Sequence, residues 1–194
     1  MIDYTVQPEE EKLQRSKKMM LWFGIISLSM MFAGLTSAYI VSKERKDWLT
    51  DFQLPQAFYI STAVIILSSI TMHLAKRSVL AQKESAGRLF LIATLILGGA
   101  FVFLQFLGFD QIISEGYYFT GSDSTVTTSF IYAFVISHIV HIGAGLLVLI
   151  IVLVNHLRGK YTPGRTLGIE LGATFWHFVD VLWVYLFLFL LFFR

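Results

Sequence analysis

The chain contains no cysteine among its 194 residues, only three prolines, and few charges: Asp, Glu, Lys and Arg together make up 14%. Without cysteine there are no disulfides, thiolate metal ligands or cysteine-held iron–sulfur clusters, so any metal would have to rest on histidine and carboxylate. The prolines, Pro8, Pro55 and Pro163, all fall outside the long apolar runs. Discontinuous helices of the kind that secondary transporters use to build midplane sites are therefore not expected. A soluble domain is about one quarter charged, so a chain this poor in charge is read as an integral membrane protein. What charge there is carries a net +2, scattered in short loops, which makes nucleic acid an improbable partner.

What is present is apolar. Hydrophobic residues make up 56% of the chain, 18 of them Phe. Five long apolar segments contain no Lys or Arg, and of the acids only Asp180: 19–42, 57–75, 89–109, 128–154 and 171–193. A bilayer core of about 30 Å takes about 20 helical residues per crossing, and strands of a membrane barrel are far shorter than these segments. The expected fold is an all-α bundle of five transmembrane helices forming a single domain over residues 1–194. The polar lead "MIDYTVQPEEEKLQRSKK" is too long, and the apolar run after it too extended, for a signal peptide. It reads as the tail of an uncleaved first span.

Basic residues set the expected orientation. Lys12, Arg15, Lys17 and Lys18 in the tail, Lys76, Arg77, Lys83 and Arg88 in the second loop, and Arg158, Lys160 and Arg165 in the fourth lie on one side. Lys43, Arg45, Lys46 and Arg194 lie on the other. The excess places the N-terminus in the cytoplasm and the C-terminus outside. The third loop, "DQIISEGYYFTGSDSTVT", has no basic residue and reads as an irregular extracytoplasmic excursion.

Ionisable residues inside spans usually face the bundle and find partners. Here they are His73, His138, His141, His177 and Asp180, with Glu170 at the lip of the fifth helix. A rise of 1.5 Å per residue puts His73 about 5 Å, His177 about 10 Å, Asp180 about 15 Å, His141 about 21 Å and His138 about 25 Å from the cytoplasmic helix ends. On depth, His73 can meet His177 or Glu170, and Asp180 can meet His141. His138 with His141, and His177 with Asp180, are three apart and share a helix face. Such pairs suit buried hydrogen-bonded ties between helices, ligation of haem or a metal, or a proton path, and spacing leaves the three open.

Other features have plainer readings. Gly98, Gly99, Gly143, Gly145 and Ala33–Gly34 are places where helices can approach closely. Trp22, Trp176 and Trp183 suit either an interfacial belt or the core, and Trp48 an interface anchor. No nucleophile–base pair, phosphate loop or H-E-x-x-H motif is visible.

The stretch "GIELGATFWHFVDVLWVYLF", Gly168 to Phe187, closely resembles the last helix of the haem-copper oxidase subunit III family, with its Glu followed by W-H-F-V-D-x-x-W. Glu170, Trp176, His177, Asp180 and Trp183 meet that pattern. Upstream, "SHIVHIGAGLLVLI" resembles the family's H-x-x-H segment at His138 and His141, and "SSITMHLA" its Ser/Thr-rich helix ending in His73. The resemblance runs over residues 19–194, in a short five-helix bacterial form. Two acids frequent in the family are replaced, one by Leu28 in "ISLSMMFAG" and one by Gly108 in "QFLGF", so roles attached to them do not transfer.

The resemblance implies an accessory, non-catalytic subunit of a proton-pumping terminal oxidase in a bacterial plasma membrane. It would pack on the catalytic subunit I and subunit II, bind phospholipid, and support oxygen access and sustained turnover. Haem and copper are expected in the partner subunits and none on this chain; a quinol-oxidising complex of a respiratory supercomplex is a further partner it admits. The eight residues His73, His138, His141, Glu170, Trp176, His177, Asp180 and Trp183 would then serve as helix ties or lipid contacts. The alternative from another class is a membrane anchor carrying haem b on paired histidines and oxidising quinol.

Overall fold

The computed structural model describes residues 9–45, 48–49, 53–119, 121 and 124–193. Five helices make up nearly all of it: α1 (Glu9–Val41), α2 (Gln56–Leu80), α3 (Glu84–Ser114), α4 (Val126–Leu157) and α5 (Leu167–Phe193). Each is long and apolar enough to cross a membrane, and there is no strand among the described residues, only a single bridge pairing Tyr118 with Ser124. In hydrocarbon every backbone N–H and C=O must be satisfied within the segment, which leaves the helix as the form these runs adopt.

The helices overrun the uncharged segments because their ends carry their own signals. Glu9, Glu10 and Glu11 occupy the first turn of α1, where carboxylates favour the helix dipole. Thr125 and Thr128 form a reciprocal capping box at the start of α4. At the far end of α3, Gly116 takes φ +84, and Tyr117 N–H donates to Ile112 O at 3.1 Å while Gly116 N–H donates to Ile113 O at 2.9 Å. This Schellman ending carries α3 five residues past its apolar run, so the third loop is shorter than the sequence alone suggests.

Helices α2, α3, α4 and α5 close into a ring in which each packs on two neighbours, and α1 lies outside it against α4 and α5. Accordingly α5 is the most enclosed helix and α1 the least. Cross-links fix the two ends. At one end Arg165 reaches Glu10 at 4.0 Å and His156 Nε2 lies 3.0 Å from Glu84 O. At the other, Leu49 N–H donates to Thr127 Oγ1 at 3.0 Å. The α1 N-terminus and the α2–α3 and α4–α5 connections therefore share one end, which holds the larger group of basic residues and is called the basic end below. Just outside the spans there, Tyr161 is half-buried, and burial pushes its phenol above the usual range.

Candidate functional site

The site begins with Trp176, which is 0% exposed in the middle of the ring. A Cβ placed on Gly98 of α3 would lie 2.7 Å from Cη2 of this indole, and one on Gly145 of α4 would lie 3.1 Å from Cε3 and Cζ3. The two glycines thus form a slot for the ring, not a close approach of helix backbones. Gly99 and Gly143 face open space. On its remaining side Trp176 Nε1 donates to Ser68 Oγ of α2 at 3.1 Å. One α5 side chain thereby touches all three other helices of the ring.

Two further α5 residues bind α2 in the same antiparallel register. His177 Nδ1 lies 2.7 Å from Ser69 Oγ, and Trp183 Nε1 donates to Thr62 Oγ1 at 3.0 Å. The acceptors Thr62 and Ser69 are seven apart and face α5 together; one position earlier, Ser68 accepts from α5 and Ser61 takes a 2.9 Å bond from Gln105 Nε2 of α3. A hydrogen bond between membrane helices contributes about 0.6 kcal/mol on average. The ladder therefore sets register more than it supplies stability. Ser61, Thr62, Ser68, Ser69 and Gln105 were not singled out from sequence, although the Ser/Thr pairs at i, i+7 in α2 carry the signal.

Of the two pairings expected from depth, His73 with His177 is present and Asp180 with His141 is not. His73 does reach His177, with ring centroids 6.4 Å apart, but the hydrogen bond of His177 goes to Ser69. Asp180 does not meet His141: neither carboxyl oxygen has a hydrogen-bond partner among the described residues. His141 turns toward α1, with Nδ1 2.6 Å from Ser137 O and its ring 5.9 Å from Phe32. Rise along a helix fixes depth, while rotation about its axis decides which neighbour a side chain faces. Glu170 likewise stays local, accepting from Thr166 Oγ1 at 2.7 Å.

His138 is fully buried, and neither ring nitrogen has a hydrogen-bond partner among the described residues. It is boxed by Trp183 at 5.2 Å, Phe101 at 5.9 Å and Phe32 at 6.4 Å between centroids. A porphyrin on either nitrogen would have to displace one of these rings. His73 and His177 sit on helices that pack directly on each other, with no width for a macrocycle between them. No group of three or more His, Cys, Asp or Glu gathers among the described residues. Of the remaining tryptophans, Trp183 is 1% exposed and Trp22 58%. Trp48 is no free anchor: it is half-buried against the ring of Tyr39 at 4.7 Å.

The replaced acids have a packing account at one position. Gly108 is pressed by the ring of Phe58, which occupies the space a Cβ would take. Phe58 is itself 0% exposed and stacks edge-on to Trp183 at 5.8 Å. A carboxylate at 108 would have to expel that ring.

Fold and site define a multi-pass helical membrane protein whose last helix is keyed to α2 by a tryptophan–histidine–tryptophan set. The family model described as cytochrome c oxidase subunit III matches residues 11–194, and the chain belongs to that family. Similar proteins include cytochrome c oxidase subunit 3 of Bacillus sp. (strain PS3), 25% identical over 190 residues, covering 95% of this chain and 90% of that protein. That of Corynebacterium diphtheriae is 28% identical over 170 residues, covering 82% and 79%. That of Tetraodon nigroviridis is 32% identical over 143 residues, covering 72% of this chain and 50% of the relative. The chain thus matches about half the length of several animal relatives and most of the bacterial ones.

Proposed function

We propose that this chain is the accessory third subunit of a proton-pumping haem-copper terminal oxidase, in which oxygen is reduced to water at haem and copper centres held by the partner subunits I and II. The observation that carries the reading is the family match over residues 11–194. The geometry of Trp176, His177 and Trp183 supports it, because these signature residues are spent on helix register within the ring. Trp176, His177 and Trp183 act as ties between α5 and α2. His138 and His141 fill and orient the α4 side of the core, His73 backs His177, and Glu170 fastens the start of α5.

The protein sits in the plasma membrane of a bacterium with its basic end in the cytoplasm. A groove of about 360 Å³ between α1 and α5, lined by Ser29, Phe32, Ala33, Phe178, Val181 and Tyr185, suits an acyl chain and supports a lipid-binding role beside the catalytic subunit.

The test is purification of the native membrane complex through a tag on this chain. Co-isolation of haem-bearing subunits with oxygen-consuming activity is expected, and the chain expressed alone should show no reduced haem b absorption band. A haem b band from the isolated chain would overturn the reading in favour of a quinol-oxidising anchor.

A further inference from the structure

A cavity of about 500 Å³ opens at the basic end, where the α2–α3 turn and the first turn of α3 meet the end of α4. That volume falls in the usual range of ligand sites, about 300–1,000 Å³. Its lining is Gln82, Glu84, Ser85, Arg88, His156 and Leu157, none of which belongs to the α2–α5 ties or to the α1–α5 groove.

The floor is fixed. His156 Nε2–H donates to Glu84 O at 3.0 Å, its ring stacks on Tyr161 with centroids 6.3 Å apart, and a Cβ on Gly87 would lie 3.1 Å from Nε2. Because Nε2 carries the proton, Nδ1 is left as an acceptor. Gln82 Nε2 donates to Val79 O at 3.3 Å, which leaves Oε1 as an acceptor as well.

Glu84 and Arg88 stand one helical turn apart, in the order that favours an ion pair. They form none among the described residues, although both line the same cavity. An inorganic anion would satisfy Arg88 and Ser85 but meet the Glu84 carboxylate, and a metal cation at Glu84 would meet the Arg88 guanidinium. A ligand carrying both charges on a short link satisfies the whole set. Depth gives its source. The apolar segments of α3 and α4 begin at 89 and end at 154, so Arg88 and His156 lie just outside the hydrocarbon, at the level of lipid headgroups. Leu89 and Leu157 are exposed beside them and offer apolar surface to acyl chains.

We propose that this cavity binds the phosphoethanolamine headgroup of a membrane phospholipid. Arg88 and the Ser85 hydroxyl donate to the phosphate, and the ammonium donates to the Glu84 carboxylate, Gln82 Oε1 and His156 Nδ1. Phosphatidylcholine carries the same charges but has no N–H for these acceptors, and phosphatidylglycerol has no cation. Gln82 thereby has a use at a left-handed position that glycine would hold at lower cost.

The site is independent of the oxidase reading, because it is tested on the full chain purified without partners. Delipidated protein in micelles is titrated with short-chain phosphatidylethanolamine, phosphatidylcholine and phosphatidylglycerol, and bound lipid is read by native mass spectrometry. Phosphatidylethanolamine should bind roughly tenfold more tightly than either of the others, the scale of one charge-assisted hydrogen bond. Glu84→Gln should abolish the preference over phosphatidylglycerol, Arg88→Gln should weaken all three, and Gln82→Gly should narrow the preference over phosphatidylcholine. These three positions are exposed, so the variants keep the fold. Equal binding of the three lipids by the wild type overturns the proposal, as do wild-type affinities in Glu84→Gln and Arg88→Gln. Soluble glycerophosphoethanolamine binding as tightly as the lipid overturns the assignment to a membrane ligand.

Discussion

At the scale of single residues, the interior is organised around aromatic side chains that need both room and a polar partner. The six-membered ring of Trp176 presses on Gly98 through Cη2 and Cζ2, while its Nε1–H is satisfied by Ser68. Gly98→Ala forces these groups apart and should destabilise the protein by about 1–3 kcal/mol, the usual range for overpacking a filled core. Trp176→Phe removes the pressing atoms and leaves Ser68 without its donor, at a further cost of about 1–3 kcal/mol. Because phenylalanine lacks the atoms that touch Gly98, the double variant should be less destabilised than the two single costs combined. Coupling between contacting residues is commonly about 0.5–3 kcal/mol. Unfolding titrations of the four proteins in mixed micelles read this directly, and strict additivity would show that the slot is not shared.

At the scale of elements, the five helices were legible because uncharged runs and the placement of prolines decide where backbone can cross hydrocarbon. Their ends were less so. The turn from α2 to α3 closes with Lys83 N–H donating to Ser78 O at 2.9 Å and Gln82 N–H to Val79 O at 3.0 Å, the same Schellman geometry that Gly116 and Gly159 complete elsewhere. Here the left-handed position, φ +56, is held by Gln82, and nothing in the sequence marks it. A side chain in that region costs about 1–2 kcal/mol. Gln82→Gly should therefore raise stability by roughly 0.5–1 kcal/mol after the added freedom of the unfolded chain is counted, whereas Gln82→Val should lower it; unfolding midpoints check both. Rotation of helices about their axes was the least legible feature. Depth matched His73 with His177, yet the same reasoning matched Asp180 with His141, which in fact binds Ser137 O on its own helix. The i, i+7 pairs Ser61/Ser68 and Thr62/Ser69 held the missing angular information, because seven residues return to the same helix face.

At the scale of the whole molecule, the cross-links Arg165–Glu10 and His156–Glu84 place the tail and two of the connections at a single end, and the basic residues of that end outnumber those of the other. Such a bias orients a membrane protein with the basic end in the cytoplasm. The absence of cysteine makes the orientation directly measurable, since a single introduced thiol has no competitor in the chain. Ser124, half-buried in the short third loop, and Ser85, exposed at the start of α3, lie at opposite ends. In intact cells Ser124→Cys should react with a membrane-impermeant maleimide, and Ser85→Cys should react only after the membrane is permeabilised. The reverse pattern would invert the bundle.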